Sequence, residues 1–259
     1  ARESNAVLGD IVRAAIAEVG IDADAVQIVP PGDREAMKVL MSLSGMIDLL
    51  IPRGGEGLIR FVAENARVPV VQHYQGVCHL YVDEGADLAM ARRLVENGKL
   101  SRPGVCNALE CLLVHEAVAE TLVPGLGELA IEVRGDARTC ELLPSATRAD
   151  DWGVEFLAPI LACRVVASLD EALAHIRDYG SLHTEVICTR SHDRAQRFLR
   201  EVDASCVMVN ASSRFNDGGM LGLGAEIGIS TTKLHAYGPM GLASLTALKW
   251  VVQGEGQVR

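Results

Sequence analysis

No apolar run in these 259 residues is long enough to span a bilayer, and Ala1-Arg2-Glu3-Ser4-Asn5 leads into an amphipathic pattern, not a signal-peptide core. Positive charge is scarce: 24 Lys+Arg stand against 34 Asp+Glu, a net charge of −10. Nucleic acid and anionic membrane surfaces need a basic footprint, so neither is expected as a partner, while a local anion pocket remains open. No Cys-x-x-Cys pair occurs among the seven cysteines, Cys78, Cys106, Cys111, Cys140, Cys163, Cys188 and Cys206. Their scatter and odd number argue against a disulfide framework and a structural zinc site, and fit a reducing cytoplasm. The seven histidines form no His-Glu-x-x-His spacing, so no metal site is expected. His175, flanked by Ala174 and Ile176 on an expected helix, reads as a packed residue. A Gly-x-Ser-x-Gly elbow, a Walker loop, internal repeats and low-complexity segments are missing too.

What is present is a large apolar fraction, 49%, enough for one large or two medium domains. Val7, Leu8, Ile11, Val12, Ala15, Ile16 and Val19 recur at helical spacing over residues 4–19, and Gly20 stands where a helix-ending glycine belongs. Strands are expected at 26–29, 46–51 and 68–72, and helices at 34–43 and 56–65, with a Pro30-Pro31-Gly32 turn between. A strand at 77–82, a helix at 86–98 and, after Leu109–Val114, a helix to about 128 follow. Residues 138–151 look irregular. A second alternating run has strands at 163–167, 185–189 and 206–210 and helices at 169–179 and 193–202. This alternation predicts α/β units with parallel sheets. The glycine-rich 216–241 stretch is expected to approach a ligand or partner chain, and 242–252 to form a final strand.

The chemistry converges on Ser101-Arg102-Pro103-Gly104-Val105-Cys106-Asn107-Ala108-Leu109-Glu110. A Pro-Gly turn delivers Cys106 to the start of an apolar segment, where the field of free N–H groups would lower a thiol pKa. A packed, inert cysteine is the plainer reading. Arg53-Gly54-Gly55 lies between an expected strand and helix, a place where backbone can approach phosphate, though an ordinary turn fits the spacing equally well. Arg102 and Arg214 suit a carboxylate or phosphate in a cleft; taken singly, each also reads as a surface arginine.

Four segments in order carry a resemblance to a known family. They are the Cys106 segment just quoted; Val166 to Ile187, with Ala-x-x-His-Ile and Gly-Ser-x-His-Thr-Glu-x-Ile; Val209-Asn210-Ala211-Ser212-Ser213-Arg214-Phe215-Asn216-Asp217-Gly218-Gly219; and Gly222-Leu223-Gly224-Ala225-Glu226 with Lys233-Leu234-His235-Ala236-Tyr237-Gly238-Pro239-Met240-Gly241. Over essentially its whole length the chain resembles the glutamate-5-semialdehyde dehydrogenases, or gamma-glutamyl phosphate reductases, of the aldehyde dehydrogenase superfamily. The resemblance implies an aldehyde dehydrogenase-like α/β fold: the C-terminal part of a Rossmann-type NADP-binding domain over 1–78, a catalytic domain over 79–235, and a return or oligomerisation segment over 236–259. More chain would precede Ala1 in such a protein. It further implies NADPH-dependent reduction of L-glutamate 5-phosphate in proline biosynthesis, cytoplasmic location, a homo-oligomer, and glutamate 5-kinase as a possible partner.

By the same resemblance Cys106 is the nucleophile and the backbone at Cys106–Asn107 holds the oxyanion. Gly54 and Gly55 face a dinucleotide pyrophosphate. Glu155, in Glu155-Phe156-Leu157-Ala158-Pro159, holds the nicotinamide ribose, with Ala158 replacing the superfamily's glycine. Arg102, Arg214 and Asn210 fall to the substrate, with no choice between carboxylate and phosphate for either arginine. Where hydrolytic relatives carry a water-activating glutamate, this chain reads Gln75-Gly76-Val77-Cys78, so a thioester at Cys106 would wait for hydride. Two other readings stand beside this one: a non-catalytic fragment or scaffold, and a sister acyl-phosphate reductase with another substrate.

Overall fold

Seven strands between residues 78 and 209 hydrogen-bond into one sheet in which every pairing is parallel. The structure is a computed structural model and describes residues 2–29, 34–234 and 236–259, without the side chains of Arg2 and Arg34. The Pro30-Pro31-Gly32 turn and His235 therefore lie outside the described residues. Two compact units emerge: residues 1–50 with 61–70, and residues 51–60 with 71–259.

The first unit holds α1 (Arg2–Glu18), which ends before Gly20 at φ 81°, and α2 (Arg34–Ser42). Arg13 donates to the Val26 carbonyl at 3.1 Å and pairs with Asp24. The expected strands at 26–29, 46–51 and 68–72 are not built. A strand exists only with a neighbour to complete its ladder, and these segments form just two isolated bridges, Ser44–Ile47 and Leu50–Val70. Helix α3 (Glu56–Asn65) follows the Arg53-Gly54-Gly55 turn as expected.

In the second unit, β1 (Cys78–Val82), α4 (Leu88–Leu100), β2 (Leu109–His115) and α5 (Glu116–Leu122) come first. The helix expected to reach 128 stops at Leu122, because Pro124 cannot continue it, and a short 3-10 turn takes over. An unexpected strand, β3 (Glu132–Gly135), comes next, and the 138–151 stretch expected to be irregular holds most of α6 (Ala137–Leu142) and β4 (Thr147–Arg148). Then follow β5 (Ile160–Val166), α7 (Leu169–Tyr179), β6 (Thr184–Cys188), α8 (His192–Glu201) and β7 (Cys206–Val209). The strand order is β4-β3-β5-β2-β1-β6-β7, which places β1 and β2 at the centre. Both faces of these strands are buried, as the continuous apolar runs require: Leu80, Leu112 and Val114 pack on one side, Tyr81, Cys111 and Leu113 on the other. Ser168 and Ser191 cap α7 and α8 through N–H bonds from Glu171 and Arg194.

The glycine-rich stretch closes on a two-stranded antiparallel ribbon, β8 (Gly228–Ser230) and β9 (Gly238–Met240). The final strand expected over 242–252 is absent. A 3-10 turn covers Leu242–Leu245, no strand follows it, and Leu248, Trp250 and Val252 are exposed. No helix among the described residues is long and apolar enough to cross a membrane.

Candidate active site

Cys106 sits in the turn that feeds β2, at the N-terminal edge of the central strands. The turn is tied by the Ala108 N–H to the Val105 carbonyl at 3.0 Å. Behind it, the Cys78 thiol at the start of β1 donates to the Cys106 carbonyl at 3.3 Å. Gly76 presses on the same carbonyl so closely that a Cβ there would lie 2.0 Å from the Cys106 oxygen. The Gly76 N–H also lies near enough to the Glu155 carboxylate to favour its charged form. The Gln75–Cys78 segment is thus against the nucleophile, as the resemblance implied, and contributes no carboxylate of its own.

A cleft of about 420 Å³ opens in front of Cys106, wholly within the second unit. Of the expected site residues, Gly54, Arg102, Cys106, Asn107, Glu155 and Arg214 line it. Gly55 and Asn210 do not. Gly55 lies one residue behind Gly54, before α3, and its backbone is open, with nothing within 4 Å of where a Cβ would be. Asn210 is turned to structural use: its Oδ1 accepts from the Thr189 N–H and its Nδ2 donates to the Thr189 carbonyl, both at 2.9 Å. It adopts φ 55°, which asparagine tolerates better than most residues. Four ionisable lining residues were missed: Arg53, His73, Asp217 and Glu226. Arg53 adjoins the glycine pair, and Asp217 and Glu226 fall in segments that carry the resemblance, so all three were near a signal, but nothing in the sequence aimed them at Cys106.

The electrostatics correct the expectation of an activated thiol. No helix begins at Cys106, and burial pushes its pKa up to about 11, with Glu155 and Glu226 adding to the rise against Arg53 and the residue's own N–H. Burial also raises Glu155, against the Gly76 N–H and Lys99. Burial and then the charge of Arg53 lower His73, which keeps its imidazole neutral at pH 7. Alkylation of Cys106 by iodoacetamide is therefore expected to accelerate about tenfold per pH unit from pH 7 to 10. Peptide mass spectrometry across that range measures it; a plateau below pH 8 would show a low-pKa thiol.

One support lies under the cleft floor. Lys99 Nζ meets Glu110 Oε2 at 2.6 Å, both side chains 0% exposed. The other Glu110 oxygen accepts the Leu157 N–H at 3.4 Å. Leu157 is left-handed at φ 53°, a conformation that strains a branched residue, and it directs the segment carrying Glu155. Burial raises Glu110 to about 7 despite Lys99, and burial lowers Lys99.

His79, Cys111 and His175 place three metal-capable atoms within 4.8 Å of one another. Arg164 donates to His175 Nδ1 at 3.0 Å, so the neutral ring carries its proton on Nε2, which points to Cys111 Sγ at 3.6 Å. No lone pair is left there for an ion. His79 is tied to Glu185 at 2.9 Å; burial opposes its charge, but Glu185 and Cys111 outweigh burial and hold it at about 10. His175 is thus a packed, hydrogen-bonded core residue.

The parallel sheet that carries Cys106 at the edge of its central strands has an aldehyde dehydrogenase-like α/β fold. The chain superposes on an acetylating aldehyde dehydrogenase from Geobacillus thermoglucosidasius with a TM-score of 0.77 at 18% identity, covering 100% of this chain and 68% of that one. Along its whole length it is similar to gamma-glutamyl phosphate reductases. It is 73% identical over 264 residues to that of Sorangium cellulosum, covering 100% of this chain and 62% of the relative. The crystal structure of gamma-glutamyl phosphate reductase from Thermotoga maritima matches with a TM-score of 0.95 at 45% identity, over 100% of this chain and 64% of that one. The chain thus spans about 62% of the length of the curated relative it matches. No protein-family profile matches it.

Proposed function

We propose that this chain carries the nucleophile and acyl site of a gamma-glutamyl phosphate reductase, which reduces L-glutamate 5-phosphate to glutamate 5-semialdehyde in proline biosynthesis. The observation that carries the reading is Cys106 on the wall of a cleft that also presents Arg53, Arg102 and Arg214, none ion-paired among the described residues. An acyl phosphate needs both: a sulfur to accept the acyl group and guanidinium groups to hold the anions.

His73 or Glu155 first takes the proton that burial keeps on Cys106. The thiolate then attacks the γ-acyl carbon, a C–S bond forms, and the C–O bond to phosphate breaks as inorganic phosphate leaves toward the arginines. Backbone N–H groups at Cys106–Asn107 hold the transient oxyanion; losing one such donor costs about 10²–10³ in rate. The Gln75–Cys78 segment supplies no carboxylate to activate water against the thioester, and a base that has taken the thiol's proton is no longer free to do so. A nicotinamide dinucleotide would be held by Arg53 and Gly54, which line the same cleft just before the α3 N-terminus, with open backbone at Gly55. When bound in reduced form it supplies the hydride that turns the thioester into a thiohemiacetal. Collapse of that adduct returns the Cys106 thiolate and releases the aldehyde. NADPH is the form we expect, and Glu155 would hold its nicotinamide ribose.

The test uses the full-length protein with glutamyl phosphate and no reduced cofactor. Peptide mass spectrometry is expected to find one glutamyl group on Cys106, discharged as semialdehyde when NADPH is added. Turnover with no acyl group on Cys106, or with Cys106→Ala fully active, would overturn the reading.

A further inference from the structure

We propose that Asn107, Arg214, Asp217 and Glu226 form a subsite for the ammonium and carboxylate of an α-amino-acid headgroup, which makes this cleft selective for aminoacyl over plain acyl substrates. The proposal rests on the acyl-phosphate reading of the same cleft and assigns what that reading left open.

Two buried atoms of opposite hydrogen-bonding sense lack partners at this corner. Asn107 is 4% exposed, and its Nδ2 donates to the carbonyls of Asn216 at 2.9 Å and Arg214 at 3.5 Å. That fixes the amide so that Oδ1 is a bare acceptor. Arg214 Nε is a buried donor without an acceptor. Each would carry a desolvation penalty of about 1–3 kcal/mol if left unmatched, and one ligand with a cationic and an anionic end satisfies both.

The two carboxylates beside them are held by backbone, not by cations. Glu226 Oε2 accepts the Gly218 N–H at 2.8 Å, and Asp217 Oδ1 accepts the N–H groups of Gly219 and Met220 at 3.0 and 3.1 Å. Neither carboxylate has a cationic partner among the described residues. Gly218 locks the two segments together, since a Cβ there would lie 2.8 Å from both the Ala225 carbonyl oxygen and Glu226 Cβ. The carboxylates are therefore pre-set before any ligand arrives. The corner is also next to the chemistry: Asn107 follows Cys106, and the charge of Glu226 is felt at the thiol. An ammonium takes Asn107 Oδ1 and the Glu226 and Asp217 carboxylates, and the α-carboxylate takes Arg214. Arg53 and Arg102 remain for phosphate groups. A substrate without the ammonium leaves the buried Asn107 Oδ1 unpaired, while the exposed Glu226 and half-buried Asp217 lose the cation they would attract; a buried polar group left unmatched is where sites discriminate most strongly.

The full-length protein is assayed in the oxidative direction, with phosphate and NADP, on glutamate 5-semialdehyde and on 5-oxopentanoate, the same aldehyde without its α-ammonium. The wild type is expected to prefer the amino aldehyde by at least about a hundredfold in kcat/KM. Glu226→Gln should shrink that ratio at least about tenfold, chiefly through KM for the amino aldehyde. Asp217→Asn tests the second carboxylate independently. An unchanged ratio in both variants, or equal losses on both aldehydes, overturns the subsite. A wild type that oxidises neither aldehyde instead overturns the reductase reading on which it rests.

Discussion

Gly76→Ala is expected to lower turnover of the full-length protein at least about a hundredfold. The added methyl would stand 2.0 Å from the Cys106 carbonyl oxygen, 2.8 Å from its carbon and 2.9 Å from its Cα. All three are backbone atoms, so relief requires moving the nucleophile's own peptide. The same peptide region offers the N–H groups assigned to the oxyanion, and the Cys78 thiol bond to that carbonyl would move with it. A shift of about 1 Å is enough for a loss of that size, and overpacking of this kind destabilises by about 1–3 kcal/mol. Gly104→Ala is the control. It lies in the turn that presents Cys106, yet a Cβ there meets nothing closer than the Leu157 carbonyl oxygen at 3.8 Å. Steady-state kinetics and urea midpoints on both variants measure the contrast; equal activity in the two would show that the Gly76 approach is not what sets the thiol's position.

The contrast between these two glycines shows what could be read in the chain and what could not. Pro103-Gly104 announces a turn by composition alone, and Cys106 stands out because it follows that turn. Gln75-Gly76 also reads as a turn, but the constraint on Gly76 is not marked there, because it comes from a segment 30 residues away in sequence that folding brings against it. Helix α7 was legible to the residue, since Ser168 caps it, apolar spacing runs through it and Gly180 follows it. The segments at 26–29 and 46–51 have strand-like composition, but composition does not supply a pairing partner. The sign of the thiol shift was unreadable for the same reason. A turn suggests free N–H groups and a lowered pKa, whereas the value near 11 is set by burial and by Glu155 and Glu226, which arrive from distant parts of the chain. Arg53, His73 and Asp217 likewise become site residues only by folding.

Lys99→Met is expected to destabilise the fold by about 3–5 kcal/mol, because it leaves Glu110 fully buried without its cation. Lys99→Met with Glu110→Leu should recover most of that, since an apolar pair of similar volume needs no desolvation. The single variant also has a predictable pH dependence. Burial already holds Glu110 near 7 with Lys99 present, above the unfolded value of about 4.3. Without Lys99 the folded carboxyl is raised further, so the folded state keeps a proton that the unfolded chain has released. Stability of Lys99→Met should then fall as pH rises from about 4.3 through 7, by up to about 1.4 kcal/mol per pH unit, and the double variant should lack this slope. Urea melts at pH 5, 6 and 7 measure it; a flat profile for Lys99→Met would show that Glu110 finds another partner. Function separates the two variants again. Glu110 also accepts the Leu157 N–H where the chain is left-handed. The stable double variant therefore loses the bond that steers Glu155 into the cleft, and its reductase activity should stay depressed although its fold is restored.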